Sequence, residues 1–235
     1  MKRFEFDPDG DVAEDIRTKY GHDSDLLKIY AGTKDVQVNK WHHYIPIYDR
    51  YFSPYRGKPI KMLEIGVKKG GSLKMWREYF GDEAIIYGID IDEKCREFDG
   101  QAAQVRIGSQ DDPEFLDEVV DEMGGVDIVL DDGSHVMQHI MASLMALYPR
   151  LSNGGLYAIE DLHTAFWPGF GGGLKSRGNF FNRVRRMVDD MHRWYHDGKP
   201  TFPQMDKAIS GIHIHDSMCL FEKAEIPKPT FSRVK

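Results

Sequence analysis

From about residue 60 onward, short runs of apolar, β-branched and aromatic residues alternate with longer stretches whose apolar positions recur at helical spacing. The short runs predict strands at Lys61–Ile65, Ile85–Ile89, Gln104–Ile107, Val126–Leu130 and Leu156–Ile159. The stretches between them predict helices near Ser72–Phe80, Asp92–Phe98, Pro113–Met123 and Val136–Tyr148. Asp111 or Asp112 is placed to cap the third of these, and Pro113 suits its first turn. Strands alternating with helices of this length imply parallel strands joined by right-handed crossovers, hence an α/β doubly wound sheet. The rhythm then breaks. Ile209–Ile214 and Met218–Phe221 read as strands separated only by His215-Asp216-Ser217, which leaves room for an antiparallel hairpin and none for a helix. Ahead of the alternation, residues 1–59 hold charged and aromatic helical pieces at Asp11–Tyr20, Asp23–Tyr30 and Trp41–Phe52. They predict a helical N-terminal extension, not an independent domain, that packs on the sheet, covers a site or joins a neighbouring subunit. Residues 60–235 then form the sheet domain.

A chain of 235 residues suits one generous domain. Its 41% hydrophobic and 29% charged residues are those of a protein that buries a core, which excludes disordered and disulfide-scaffold classes. The net charge of −7 argues against general nucleic-acid or anionic-membrane binding, because phosphate contacts need a basic surface. No apolar stretch approaches the roughly 20 residues of a membrane helix, and Met1–Pro8 lacks the apolar run of a signal peptide. Cys95 and Cys219 show no metal-type spacing and read as reduced thiols. A cytoplasmic enzyme is the expectation.

The first strand runs through Glu64-Ile65-Gly66 into Val67-Lys68-Lys69-Gly70-Gly71-Ser72, a glycine turn that opens a helix. Such turns let a ligand approach the backbone and meet helix N-terminal amides. The dinucleotide fingerprint fails, since Lys68 stands where its second glycine belongs. An acid two residues before the first glycine, Glu64, is instead the pattern of S-adenosylmethionine (SAM) sites, whose sulfonium and amino group tolerate carboxylates. The second strand ends at Asp90, placed to accept both ribose hydroxyls. The third ends in Gly108-Ser109-Gln110-Asp111, whose side chains are placed for an adenine edge.

Two acidic pairs follow. Asp131-Asp132-Gly133-Ser134-His135 leaves the fourth strand and Glu160-Asp161-Leu162-His163 leaves the fifth. Adjacent strand ends lie side by side, so Asp132, Glu160 and Asp161 can converge. Three close carboxylates require protons or a cation, and an all-oxygen site on loop ends suits Mg²⁺. Asp131 and Ser134 are alternatively placed to cap the helix near Val136. His135 is the candidate general base, with His163 second and His42 and His43 behind. The aromatic and glycine-rich stretch Thr164–Gly173 reads equally as a mobile lid, with rings on which a sugar can stack, and as a surface loop. Lys175, Arg177, Arg183, Arg185 and Arg186 read as one solvated helix face, with an anionic ligand as the alternative.

Four segments together, GVKKGGSLKMWREYF (66–80), GIDID (88–92), LDDGSH (130–135) and IEDLHTAFW (159–167), resemble the Mg²⁺-dependent, SAM-dependent sugar O-methyltransferases. That family includes macrolide deoxysugar enzymes and smaller methylmannose-oligosaccharide 1-O-methyltransferases. A HHYIPIYDRYF segment (42–52) is similar as well, so the resemblance covers about residues 40–223. In length the chain stands nearer the small oligosaccharide enzymes than the macrolide enzymes with their separate N-terminal domain.

The resemblance implies a class I methyltransferase fold, a Rossmann-like seven-stranded sheet closed by the antiparallel hairpin, and homo-oligomers of two or more copies. It implies Asp132, Glu160 and Asp161 as metal ligands and His135 as the base. It places SAM against Glu64, Gly66, Ser72, Asp90, Ser109, Gln110 and Asp131, and a saccharide or glycoside as substrate. A sugar hydroxyl is a poor nucleophile at histidine's pKa, so chelation of neighbouring hydroxyls by Mg²⁺ would acidify the one that His135 deprotonates. A catechol-type O-methyltransferase acting on an aromatic diol is the alternative. A nucleic-acid methyltransferase using the basic run and a non-catalytic SAM-binding module are more distant.

Overall fold

The computed structural model describes residues 4–234. Its strands are β1 (Lys61–Ile65), β2 (Ile85–Asp90), β3 (Gln104–Ile107), β4 (Val126–Asp131), β5 (Leu151–Ile159), β6 (Ile209–His215) and β7 (Met218–Lys223). They form one sheet in the order β3-β2-β1-β4-β5-β7-β6. The first five run parallel, and β7 lies antiparallel between β5 and β6. This is the expected doubly wound sheet closed by a hairpin. The hairpin turns at Asp216 and Ser217, the latter in left-handed backbone at φ 63°.

The helices are α1 (Val12–Tyr20), α2 (Asp25–Gly32), α3 (Tyr44–Phe52), α4 (Gly71–Phe80), α5 (Pro113–Met123), α6 (Met137–Leu147) and α7 (Phe180–Met191). Asp112, rather than Asp111, caps α5 by accepting from the amides of Glu114 and Phe115. Most element ends shift by one to three residues from the sequence reading, and two elements differ more. Residues Glu93–Phe98 form a 3₁₀ turn, because six residues with only Cys95 buried cannot repay an α-helical nucleus. Strand β5 begins five residues early, carried through Gly154-Gly155 by an irregular register against β4. A Cβ on Gly155 would lie 2.8 Å from the Asp127 carbonyl oxygen, so the close approach needs glycine. Among the described residues no helix is long and apolar enough to cross a membrane.

Strand alternation divides the core in two. Leu63, Ile65, Tyr87, Val129, Tyr157, Ile159 and Phe221 face α5, α6 and α7. Met62, Ile86, Ile128, Leu130, Ala158 and Leu220 face α4 together with α1–α3 of the extension, including the fully buried Ile16, Leu27, Tyr44, Tyr48 and Phe52. The extension is therefore one wall of the second core. The same period of two sorts the acids at the strand ends. Glu64 shares the extension's face with Met62, and Glu160 follows Ala158 onto it, whereas Asp131 follows Val129 onto the α6 face.

Candidate active site

A cavity of about 1830 Å³ opens along the carboxyl ends of β1–β5, where strand order reverses between β1 and β4. The turn after β1 forms its floor. Gly66 has φ 99°, and a Cβ there would stand 2.3 Å from the Asp132 carbonyl oxygen, so only glycine lets the chain leaving β4 pass so close. A Cβ on Gly71 would meet the Gln37 carbonyl oxygen at 2.2 Å, because the extension lies directly across the start of α4.

Asp90 closes this turn. One of its oxygens accepts from the amides of Val67 and Lys68, both at 2.9 Å, and the other from the Asp92 amide at 2.9 Å. Burial opposes the charge, but these amides outweigh it and hold the carboxyl below the ordinary aspartate range. The Val67 and Lys68 amides are thus bound within the protein. Ser109 and Gln110 both line the cavity. The Gln110 side chain accepts from the Ser134 amide at 2.7 Å and donates to Asp131 at 3.1 Å.

Two predicted SAM contacts lie beneath the cavity wall. Glu64 is fully buried, accepting from Ser72 Oγ at 2.8 Å and Trp76 Nε1 at 3.3 Å. Burial pushes its carboxyl up to about 7, against the pull of Lys40. Asp131, 1% exposed, accepts from Ser143 Oγ at 2.7 Å and Tyr157 at 3.2 Å, and burial pushes it up as well. Its place on the α6 face of β4 explains why it neither caps α6 nor reaches the cavity. Ser134 Oγ accepts from the Val136 amide just ahead of α6, which itself carries no side-chain cap. Ser72 does line the cavity and connects it to Glu64.

The acidic pairs meet as their strand order requires, with an added cation. Lys40, from the segment between α2 and α3, donates to Asp132 Oδ2 at 2.6 Å and Glu160 Oε1 at 2.8 Å, and lies 3.9 Å from Glu64. Its side chain is 1% exposed. Burial alone would favour the neutral amine, but the three carboxylates overcome it and raise the pKa above the ordinary lysine value. Glu160, 2% exposed, is pushed well up by burial and by Asp132, with Lys40 opposing. Asp161 Oδ1 accepts from Trp41 Nε1 at 3.1 Å and the Tyr44 hydroxyl at 2.8 Å, and its amide donates back to that hydroxyl at 3.1 Å. The remaining oxygens, Asp132 Oδ1 and Asp161 Oδ2, lie 3.9 and 3.6 Å from His135 Nε2. Among the described residues, Asp132, His135 and Asp161 thus place three metal-ligating atoms within 4.8 Å of one another. Glu160 stands apart from that trio, against Lys40.

His135 and Asp161 both hold left-handed backbone, at φ 57° and 55°. This conformation costs roughly 1–2 kcal/mol for a non-glycine residue and tends to persist at functional sites. Tertiary bonds hold it here, since Thr164 Oγ1 donates to the His135 carbonyl at 3.2 Å and Tyr44 brackets Asp161. His163 also lines the cavity. Its Nδ1 bonds Ser217 Oγ at 2.6 Å, and its ring lies against Trp41 and Trp167. Burial lowers its pKa. The stretch after it is folded into two 3₁₀ turns with Ala165 buried and Trp167 partly exposed, and α7 presents Arg185 outward to Asp189. Sequence reasoning missed Lys40 and the site roles of Trp41, Tyr44 and Ser217. Nothing local marks them, since Lys40 reaches acids 92 and 120 positions away.

A family model described as a methyltransferase domain matches residues 63–162. Demethylmacrocin O-methyltransferase of Streptomyces fradiae is 38% identical over 199 residues, 78% of this chain and 50% of that protein. The 8-demethyl-8-alpha-L-rhamnosyl tetracenomycin-C 2'-O-methyltransferase of Streptomyces olivaceus is 35% identical over 198 residues, 79% of this chain and 52% of that one. The chain is a homologue of these sugar O-methyltransferases. It spans about half the length of the curated relatives it matches. Among solved structures, the MycE methyltransferase of the mycinamycin biosynthetic pathway, in complex with Mg, SAH and mycinamycin VI, superposes with a TM-score of 0.73 at 33% identity, covering 93% of this chain and 54% of that one. The expected class I methyltransferase fold is therefore that of the homologue as well as of the sheet order.

Proposed function

We propose that this chain transfers a methyl group from SAM to a sugar hydroxyl of a glycoside, with Mg²⁺ at Asp132 and Asp161 and with His135 receiving the hydroxyl proton. The observation that carries the reading is the convergence of one ligating atom each from Asp132, His135 and Asp161 within 4.8 Å, in the same cavity that the glycine turn and Asp90 frame. The donor set fits: carboxylate oxygens suit Mg²⁺, which keeps further positions for water or substrate oxygens. Glu160 stands behind them, tied to Asp132 through Lys40. Bound there, Mg²⁺ would supply acidification of a hydroxyl.

The protein's own groups supply the rest. As the oxygen attacks, the new C–O bond forms while the methyl–sulfur bond breaks, and the hydroxyl proton passes to His135 Nε2. Asp132 and Asp161 then stabilise the imidazolium. SAM fits the half of the cavity framed by Asp90, Ser109 and Gln110. The Asp90 carboxylate in that half favours a sulfonium. Trp41, Tyr20 and His43 line the other half with rings on which a sugar can stack. The names of the relatives favour a sugar acceptor over an aromatic diol.

Methyl transfer from labelled SAM to rhamnosides, other deoxyhexosides, methylmannose oligosaccharides and catechols, with Mg²⁺ or EDTA, tests the proposal. Labelling of a glycoside that vanishes in EDTA supports it; labelling of catechols alone, or full activity in EDTA, overturns it. His135 also admits a second reading, since its convergence with both aspartates suits a metal ligand. In that case His135→Ala loses cation affinity along with turnover.

A further inference from the structure

Among the described residues, Asp132 and Asp161 each leave one carboxylate oxygen facing His135. Each aspartate has its other oxygen taken, and the donors come from a single five-residue stretch of the extension. Lys40 occupies Asp132 Oδ2 at 2.6 Å, while Trp41 Nε1 and the Tyr44 hydroxyl occupy Asp161 Oδ1 at 3.1 and 2.8 Å. What remains are Asp132 Oδ1 and Asp161 Oδ2, the two oxygens nearest His135. We infer that Lys40, Trp41 and Tyr44 are positioning residues of the cation site, so that the N-terminal extension, and not the sheet edge alone, sets how tightly a divalent cation is held. The inference rests on the function proposed above.

The physical argument concerns preorganisation. A carboxylate on a loop end rotates about χ1 and χ2 and loses that freedom when it binds a cation. Hydrogen bonds to its outer oxygen remove the freedom beforehand and fix which lone pairs face the ion. Asp161 needs this most, because it sits in left-handed backbone at φ 55°. Tyr44 meets that need from both sides, donating to the Asp161 carboxylate and accepting from its amide. Tyr44 is itself fully buried, with its hydroxyl also 2.9 Å from Ser217 Oγ. Lys40 fixes the other side, tying Asp132 to the buried Glu160. The positioning role of Lys40 and Tyr44 needs no contact with substrate, and that of Trp41 is carried by its Nε1 bond to Asp161.

The test measures Mn²⁺ binding to the full chain by electron paramagnetic resonance, with SAM affinity and melting temperature measured in parallel. Trp41→Phe and Tyr44→Phe each remove one donor while keeping an aromatic ring. Each is expected to weaken Mn²⁺ binding by about ten- to hundredfold, the usual effect of losing an outer-sphere partner, and to leave the SAM dissociation constant within about twofold. A merely structural role would move SAM affinity and melting temperature together with Mn²⁺ affinity. That result, or unchanged Mn²⁺ affinity in both variants, overturns the inference while the proposed function stands. A wild-type chain that binds no Mn²⁺ overturns both. If Tyr44→Phe does not fold, Trp41→Phe decides alone, since Trp41 is partly exposed.

Discussion

Replacing Lys40 by methionine isolates the electrostatics of the acidic cluster. The change keeps side-chain length and removes the ammonium that lies between Asp132, Glu160 and Glu64. Breaking a buried ion pair from one side costs about 3–5 kcal/mol, because the remaining charge loses its partner without regaining water. Glu160 is the residue left in that state, at 2% exposure, whereas Asp132 is open enough to recruit water. For a chain of this size each kcal/mol lowers Tm by about 2–4 °C, so the variant should melt about 6–20 °C below wild type in EDTA at pH 8. The pH dependence has a definite sign. Without Lys40, the folded-state pKa of Glu160 rises further above its unfolded value. The folded chain then keeps a proton that the unfolded chain releases, so the deficit grows as pH rises above the unfolded carboxyl pKa and shrinks toward pH 5. Adding Glu160→Gln should recover most of the loss, since replacing both members of a buried pair leaves no stranded charge. Calorimetric melting of wild type, both single variants and the double variant at pH 5 and 8 checks each step. A Lys40→Met chain that melts within about 2 °C of wild type at pH 8, or a double variant no better than the single one, refutes the reasoning.

Asp90→Ala should weaken SAM binding at least tenfold by calorimetry, because hydrogen bonds to a charged acceptor contribute about 1.5–3 kcal/mol each and the turn amides lose their anchor; an unchanged dissociation constant removes Asp90 from the site. His135→Ala should cut single-turnover methyl transfer by about 10²–10⁴-fold with Mn²⁺ affinity retained, and a comparable loss in His163→Ala with normal His135→Ala would exchange the two histidines. Glu64→Gln should flatten the pH dependence of stability in EDTA. The raised Glu64 pKa, about 7, gives a stabilising contribution that is full below the unfolded carboxyl pKa and lost as pH rises through 7, on the order of 3 kcal/mol across that window. Urea unfolding with an equal slope in both proteins would contradict it.

The sheet and its ligand edge follow from the local pattern of the chain. Strand and helix periodicity is local, so β1 and α5 lie where the apolar pattern puts them, and β6 and β7 follow from a connection too short for a helix. Parallel order then brings the ends of β4 and β5 together, which is why Asp132 and Asp161 meet as read. Even the division of the acidic pairs was open to inspection. Alternation along β4 and β5 turns Asp131 toward α6 and Glu160 toward the extension, and counting residues back from the strand ends yields both. What lies on that second face depends on long-range packing. The segment at 37–44 carries no periodicity, and its position depends on α1–α3 burying Ile16, Leu27 and Phe52 against α4. Lys40 reaches its carboxylates only because that packing ends 92 and 120 positions upstream of them, at the sheet edge. Pairings over such distances reflect how two apolar faces fit, and no window of sequence contains both partners.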